Sequence, residues 1–198
     1  MDADVVAPPR PIRVGHVIGQ LTRGGAERQL YELVRGIDRA RFRCVVYCLS
    51  DDTAPFGELI AATGVRVKTI SRARALDLGR VLTLARLARE DRLDILHSFL
   101  VHASGYAWPA CRLARVPRLI TSARNCQTAG GLRDRVIGQA FRRSDAIVCN
   151  GEAVREFVTR EYGVPAPRCR VTTTASISRA FAPARRWRPS GTARARRS

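Results

Sequence analysis

Short β-branched runs alternate with helical patterns along most of the chain. Ile12–Ile18 reads IRVGHVI and predicts a strand, and after a glycine-bearing turn residues 26–37 show a helical pattern. The same cycle recurs with predicted strands at residues 42–49, 65–70, 94–100, 117–123 and 145–150. Strands that alternate with helices of this length predict right-handed βαβ crossovers. The expected fold is therefore α/β, a doubly wound Rossmann-like parallel sheet.

The same pattern divides the chain into three parts. We expect a flexible N-terminus at residues 1–11, one Rossmann-like domain at residues 12–171, and a disordered tail at residues 172–198. The tail is rich in arginine and has no apolar period and no acidic residue. Such a segment buries too little surface to offset its chain entropy, so it is not expected to fold.

The net charge of +18 raises the hypothesis of nucleic-acid binding. Lys68 is the only lysine among 35 basic residues, and residues 162–198 carry nine arginines without an acidic residue, half of the net charge. No basic motif with interleaved aromatic residues accompanies this charge. No specific nucleic-acid binding is therefore expected, and the arginine content is interpreted mainly as a coding bias.

Other features of the composition concern metals and location. The six cysteines are scattered, and no second pair or histidine cluster completes a zinc site, so no metal is expected. No signal peptide or apolar run long enough to span a bilayer is visible. We therefore expect a cytoplasmic protein, with peripheral contact at the inner face of the membrane as a further hypothesis.

Candidate chemistry lies in the loops that follow the predicted strands, because ligands of such sheets bind at the strands' carboxyl ends. The first of these loops ends in Gly24 and Gly25, directly before a helix. Paired glycines there would let the backbone approach a phosphate, and the helix N-terminus offers free N–H groups. The glycines do not have the G-x-G-x-x-G spacing, which disfavours a nicotinamide cofactor. An ordinary tight turn is the alternative.

Four strings carry a resemblance to a known family. They are GGAERQL, DILHSFLVHA, SDAIVCNGEAVREFV, and YGVP followed by CRV. In this order they resemble the N-terminal domain of family-four glycosyltransferases, over about residues 12–171. The resemblance implies the acceptor-side half of a two-domain GT-B fold. It also implies metal-independent, retaining transfer from a nucleotide-sugar to a glycan, lipid-linked or small-molecule acceptor, with no cofactor. Gly24 and Gly25 would then lie beside the donor diphosphate.

Two histidines are the candidate catalytic residues. His97 and His102 are predicted to flank a turn after the fourth strand, where the family often places a histidine near the reacting sugar or acceptor. A neutral imidazole there could orient a hydroxyl or accept its proton. Alternatively, one histidine caps the following helix and the other packs against the sheet. Phe99 stands where some family members carry the second histidine of an H-x-H pattern.

Arg124 and Asn125 are the candidate acceptor-binding residues, since the family's loop after the fifth strand borders the acceptor cleft. The planar fork of arginine can donate two hydrogen bonds to a phosphate or carboxylate. A solvated loop arginine is the alternative.

The helix predicted after this loop raises the hypothesis of membrane contact, because cations flank its apolar residues. The cations are Arg133, Arg135, Arg142 and Arg143. Packing of the helix's apolar side against the sheet is the alternative.

The family's second domain carries an E-x7-E signature, which is not found after Val171. We therefore expect the chain alone to be inactive and the donor-binding half to be absent. The alternative is a stand-alone Rossmann-like module, or a subunit that works with a separate donor-binding polypeptide.

Residues 173–183 read TTASISRAFAP. One codon choice for them, read one nucleotide earlier with a preceding T, encodes YNGIDLARFRP. That string is similar to the segment that family members carry after the equivalent strand. We therefore expect a frameshift near Thr172, with the tail read out of frame.

Overall fold

The computed structural model describes residues 10–71, 77–126 and 131–172, apart from the side chains of Leu132 and Arg133. Seven strands lie in these ranges: β1 (Ile12–Ile18), β2 (Phe42–Cys48), β3 (Arg66–Thr69), β4 (Ile95–Phe99), β5 (Arg118–Ala123), β6 (Ala146–Cys149) and β7 (Cys169–Val171). Six α-helices alternate with them: α1 (Gly25–Gly36), α2 (Phe56–Ala62), α3 (Leu78–Glu90), α4 (Leu100–Ala114), α5 (Gly131–Arg143) and α6 (Glu152–Tyr162).

All seven strands pair in parallel, in the order β3-β2-β1-β4-β5-β6-β7. The order reverses between β1 and β4, which lie side by side with His16 opposite His97. This reversal is the topological switch point of a doubly wound sheet. The predicted α/β fold class is confirmed, and the switch point marks where a ligand is expected.

Helices cover the two faces of the sheet unequally. On one face, α1 and α2 pack together over a core that includes Ile18, Leu30, Val46, Ile60 and Phe99. On the other face, α3 to α6 form a row in which each helix contacts the next. Their core includes Leu84, Leu96, Ala107, Phe141 and Val158. The central strands β1, β4 and β5 are buried on both faces, and they carry buried polar residues, among them His16, His97 and Thr121, in addition to apolar ones.

The junction of β4 and α4 differs from the predicted one. The strand ends at Phe99 and the helix begins at Leu100, the last residue of the predicted strand, with no turn between them. Leu100 has a φ of 71°, in the left-handed region that non-glycine residues rarely adopt. That conformation turns the chain directly from strand to helix, and such backbone strain is typical of functional sites.

Two predicted segments lie largely outside the described residues. Residues 1–9 hold most of the predicted flexible N-terminus, and residues 173–198 hold the predicted tail except Thr172. Within the described part, Arg10 donates two hydrogen bonds to the Asp94 carboxylate, of 2.7 and 2.8 Å. This ion pair holds the segment before β1 against the start of β4.

At the amino edge of the sheet, Asp91 joins three elements. Its carboxylate accepts hydrogen bonds from the Tyr47 hydroxyl at 2.6 Å, the Lys68 ammonium at 2.8 Å and the Arg66 guanidinium at 3.0 Å. These contacts tie β2 and β3 to the end of α3. Asp91 and its partners thus stabilise the fold at this edge, and the opposite, carboxyl edge carries the candidate site.

Candidate functional site

The candidate loops predicted from the sequence all lie at the carboxyl edge of the sheet. Gly24 and Gly25 follow β1, the start of α4 follows β4, Arg124 follows β5, and Gly151 follows β6. Because all these strands are parallel, the segments lie along the same edge of the sheet, around the switch point.

Gly24 and Gly25 form the start of α1. Gly24 is the N-cap, in an extended conformation with φ −169°, and no side chain caps the helix by a hydrogen bond. The first amides of α1 are therefore not used by a side-chain cap and can donate to a ligand. Neither glycine has a positive φ.

The two glycines differ in the space around them. A β-carbon on Gly24 would collide with the Glu27 carboxylate, which is buried beneath it in the first turn of α1. A β-carbon on Gly25 would meet nothing within 4 Å. Gly24 is thus packed closely against the Glu27 carboxylate, whereas the surface of Gly25 is open to an incoming group.

The two candidate histidines are not brought together. His97 lies inside β4, is only 8% exposed, and its Nε2 is 2.8 Å from the Ser122 hydroxyl oxygen. His102 lies in the first turn of α4 and is exposed. The predicted turn between them is wrong, because Leu100 takes the chain straight from β4 into α4. The interpretation that one histidine packs within the sheet is correct for His97.

A column of neighbouring side chains, with their rings tilted against one another, lies at the switch point. The His16 and His97 ring centroids are 5.4 Å apart, and those of His97 and Phe99 are 4.5 Å apart. The Arg124 guanidinium carbon lies 5.3 Å from the Phe99 centroid. We call His16, His97, Phe99 and Arg124 the aromatic column. It links β1, β4 and the loop after β5 on the face covered by α1.

Sequence reasoning did not single out His16 or Glu27. His16 is 2% exposed, and neither of its ring nitrogens has a hydrogen-bond partner in the structure. The available signal was a polar residue in the middle of the run IRVGHVI, which predicts a buried strand. Buried polar groups without partners are rare in folded proteins, so the position of His16 at the switch point calls for an explanation.

Burial keeps both histidines of the column neutral at neutral pH. It lowers the pKa of His16 from 6.5 to about 4. It also lowers the pKa of His97 well below its ordinary value, with additional repulsion from His16 and Arg124. Burial likewise lowers the pKa of the Arg124 guanidinium, against the attraction of the Glu27 carboxylate.

Arg124 is half-buried, so the interpretation of a solvated loop arginine is wrong. Its backbone carbonyl accepts a 3.1 Å hydrogen bond from the Asn150 amide, and its buried Nε has no partner in the structure. Asn125 beside it is exposed. Arg124 is therefore held by its surroundings while retaining a donor for an anionic group.

Buried hydroxyls anchor α4 and α5 behind the column. Ser98 and Ser104 lie 2.9 Å apart between their hydroxyl oxygens, and Ser104 donates to the Leu100 carbonyl at 3.1 Å. Thr121 and Ser144 form a similar pair at 2.6 Å. These bonds hold the strained Leu100 and the start of α4 in place.

The apolar side of α5 is part of the core, since Ile137 and Phe141 are 1% and 0% exposed. The alternative in which this helix packs against the sheet therefore holds for its described side chains. In the described ranges, no helix combines the length and apolar character needed to cross a bilayer. The same ranges contain no group of three or more His, Cys, Asp or Glu residues that could hold a metal ion.

Several solved structures share this fold. The chain aligns with Anabaena HepE, solved with UDP and glucose, at a TM-score of 0.66 and 18% identity, over 82% of this chain and 44% of HepE. It aligns with the lipopolysaccharide outer core galactosyltransferase WaaB at a TM-score of 0.62 and 11% identity, over 82% of this chain and 45% of WaaB.

Sequence comparison leads to the family. The putative glycosyltransferase EpsF of Bacillus subtilis strain 168 is 27% identical over 147 residues, which are 72% of this chain and 38% of EpsF. The chain thus spans less than half the length of these relatives. The Glycosyltransferase Family 4 model matches residues 23–174, from the loop before α1 to just beyond β7. The chain therefore belongs to glycosyltransferase family 4 and has the glycosyltransferase-type N-terminal domain of that family.

Proposed function

We propose that this chain is the acceptor-side half of a retaining glycosyltransferase that uses a nucleotide-sugar donor. The observation that carries this proposal is the juxtaposition, at the switch point, of the uncapped α1 N-terminus and Arg124. The first can take a diphosphate and the second an anionic group of an acceptor. No metal is needed in this proposal, because helix amides stabilise the leaving phosphate.

The donor would meet the chain at Gly25. Its open surface allows a phosphate oxygen to approach the first amides of α1, while Glu27 below it fills the space next to Gly24. HepE, which shares the fold, has been solved with UDP and with UDP and glucose. These observations support a nucleoside diphosphate at this edge of the sheet.

The acceptor would lie between α4 and the loop after β5. His102 is exposed in the first turn of α4 and would orient or deprotonate an acceptor hydroxyl. Arg124, with Asn125 beside it, would hold an anionic acceptor group. His97 would support Arg124 through the aromatic column rather than contact the acceptor, because it is buried within β4.

A complete cleft would need a second, donor-binding domain. EpsF and HepE are each more than twice as long as the part that this chain matches. Positioning and electrostatic stabilisation dominate such catalysis, and both would require the opposite wall of the cleft. The proposal therefore includes inactivity of the chain alone. A subunit that works with a separate donor-binding polypeptide is the second candidate.

Two variants at helix starts of the carboxyl edge test the donor site. Gly25→Val places a branched side chain over the α1 amides, whereas Gly151→Val does the same at α6; both positions have open space around the added β-carbon. We expect UDP to broaden the NMR signals of the α1 amides in the full chain. Gly25→Val should remove this effect, and Gly151→Val should preserve it.

Transfer itself is tested in a chimera of residues 1–171 with the remaining length of EpsF. The chimera should transfer sugar from a nucleotide donor, and the chain alone should not. Equal UDP binding by the two valine variants, or turnover by the chain alone, contradicts the proposal.

A further inference from the structure

Two leucines are unusually exposed on the outer side of α3. Leu78 and Leu82 are 77% and 62% exposed, and they lie one helical turn apart. The opposite side of the helix, with Val81, Leu84 and Ala88, is buried in the core. Single exposed leucines are common, but two adjacent ones form a continuous apolar surface that no described residue covers.

The same outer side becomes basic towards the end of α3. Arg86 follows Leu82 by one turn with 67% of its side chain exposed, and Arg89 follows by another. We call Leu78, Leu82, Arg86 and Arg89 the α3 stripe. Since α3 follows β3, the leucines lie towards the carboxyl edge and the arginines towards the amino edge.

The neighbouring helix α4 adds further exposed apolar and basic residues beside the stripe. The Arg89 guanidinium donates to the carbonyl of Leu113, a residue at the end of α4 that is 45% exposed. Arg112 and Arg115 beside it are also exposed. The acidic residues beside the stripe include Asp77, the N-cap directly before Leu78, and Glu90, which pairs with Arg86 at 2.9 Å. The exposed arginines Arg86, Arg89, Arg112 and Arg115 outnumber them. The surface is therefore apolar and positively charged.

One kind of partner satisfies both halves of this surface. The transfer of exposed leucines from water into an apolar phase is favourable. Arginines with long apolar stems are stabilised by negative charge at the boundary of that phase. The headgroup region of an anionic lipid bilayer supplies both within a few ångströms. We propose that the α3 stripe docks this chain onto an anionic lipid surface, with the cleft-side end of α3 inserted most deeply.

The proposal does not depend on sugar transfer. It differs from membrane contact through α5, whose apolar residues Ile137 and Phe141 are in the core. It also differs from attraction through net charge alone, because binding of that kind would not depend on the two leucines. Removing the leucines while keeping the charge therefore separates the two cases.

The experiment is sedimentation of the full chain with vesicles of phosphatidylcholine that contain 30 mole per cent phosphatidylglycerol, or none. We expect the double variant Leu78→Ala/Leu82→Ala to lower the partition coefficient about tenfold or more, because two apolar side chains are lost from the interface. Leu59→Ala is the matched control. Leu59 is 42% exposed on α2, on the opposite face, and its substitution should have no effect.

A charge variant tests the other end of the stripe. Arg86→Gln should weaken binding to the anionic vesicles about fivefold, since one arginine near the surface is lost. Arg28→Gln, on an exposed position of α1, should leave binding nearly unchanged. Circular dichroism checks that each variant folds, and alanine preserves the helix propensity of α3.

Three results would overturn the proposal. One is equal binding of the double leucine variant and the Leu59 variant, which assigns the attraction to net charge. Another is equal binding to vesicles with and without phosphatidylglycerol. The third is a dimer in sedimentation equilibrium that the double leucine variant dissociates, which makes the stripe an interface between two copies.

Discussion

The Arg124 guanidinium lies over the Phe99 ring, with 5.3 Å between the guanidinium carbon and the ring centroid. This contact connects the loop after β5 to the end of β4 without using the guanidinium's hydrogen-bond donors. It contributes cation–π attraction and restricts the position of the guanidinium. A side chain restricted in this way can bind an anionic acceptor group with less loss of side-chain entropy.

We predict that Arg124→Lys weakens acceptor binding in the EpsF chimera. The KM for an anionic acceptor should rise about tenfold, because lysine keeps the charge but loses the two-pronged donor. The turnover number should change little. Arg135→Lys, at an exposed position of α5, is the control and should leave KM unchanged. Equal acceptor KM values for both variants would assign Arg124 to structure alone.

The buried histidines predict a loss of stability in mild acid. The pKa of His16 is about 4 in the folded chain and near 6.5 when unfolded, so the unfolded chain binds more protons between these values. Stability is then complete above pH 6.5 and falls as the pH falls towards 4. For His16 alone the loss amounts to roughly 3 kcal/mol, and His97 contributes in the same direction.

Urea unfolding at a series of pH values from 7.5 to about 4.5 measures this loss, in a range above the ordinary pKa of aspartate. His16→Leu should flatten the pH dependence of the unfolding free energy, because one buried titrating group is removed. Leu59→Ala, at an exposed position without a titrating group, is the control and should leave it unchanged. An identical slope in the wild type and the His16 variant would contradict the prediction.

His97 and His102 should respond to alanine substitution in opposite ways. In the chimera, His102→Ala should lower turnover about a hundredfold if it acts in proton transfer, and should change stability by less than about 0.5 kcal/mol. His97→Ala should cost about 2 to 4 kcal/mol of stability, because it leaves a cavity and removes the hydrogen bond with Ser122. Turnover and urea unfolding of both variants test this. Undiminished turnover in the His102 variant would remove it from the proposed mechanism.

The proposed frameshift near Thr172 is tested by resequencing the gene. A one-base correction near this codon should open a frame that encodes YNGIDLARFRP and continues for on the order of 150 to 200 residues, the size of another domain. That frame should also carry E-x7-E. Codons for residues 173–183 that cannot encode this string would instead favour a subunit with a separate donor-binding polypeptide.

The fold could be predicted from the sequence because the patterns that define its strands and helices are local. Each apolar run and each helical pattern lies within a few residues, and βαβ units leave few choices for the pairing of strands. The start of α4 was missed because Leu100 adopts a left-handed φ that no leucine-specific pattern signals.

The candidate site was predicted only in part. Gly24, Gly25 and Arg124 were selected from their positions after strands, whereas the contact of Arg124 with Phe99 joins a loop to a different strand and leaves no local trace in the sequence. His16 was overlooked because one polar residue in a strand does not reveal that its ring faces another histidine.

The direct passage from Phe99 into α4 has a further consequence for how such a cleft recognises its ligands. Without a connecting segment, the floor at the switch point can neither accept insertions nor close as a lid. Conformational change on ligand binding would then fall to the segment after β1, residues 19–24, or to the movement of one whole domain against another. In relatives that keep this junction, the floor of the cleft should have a constant shape. The residues that determine different substrate preferences should then lie in the walls of the cleft.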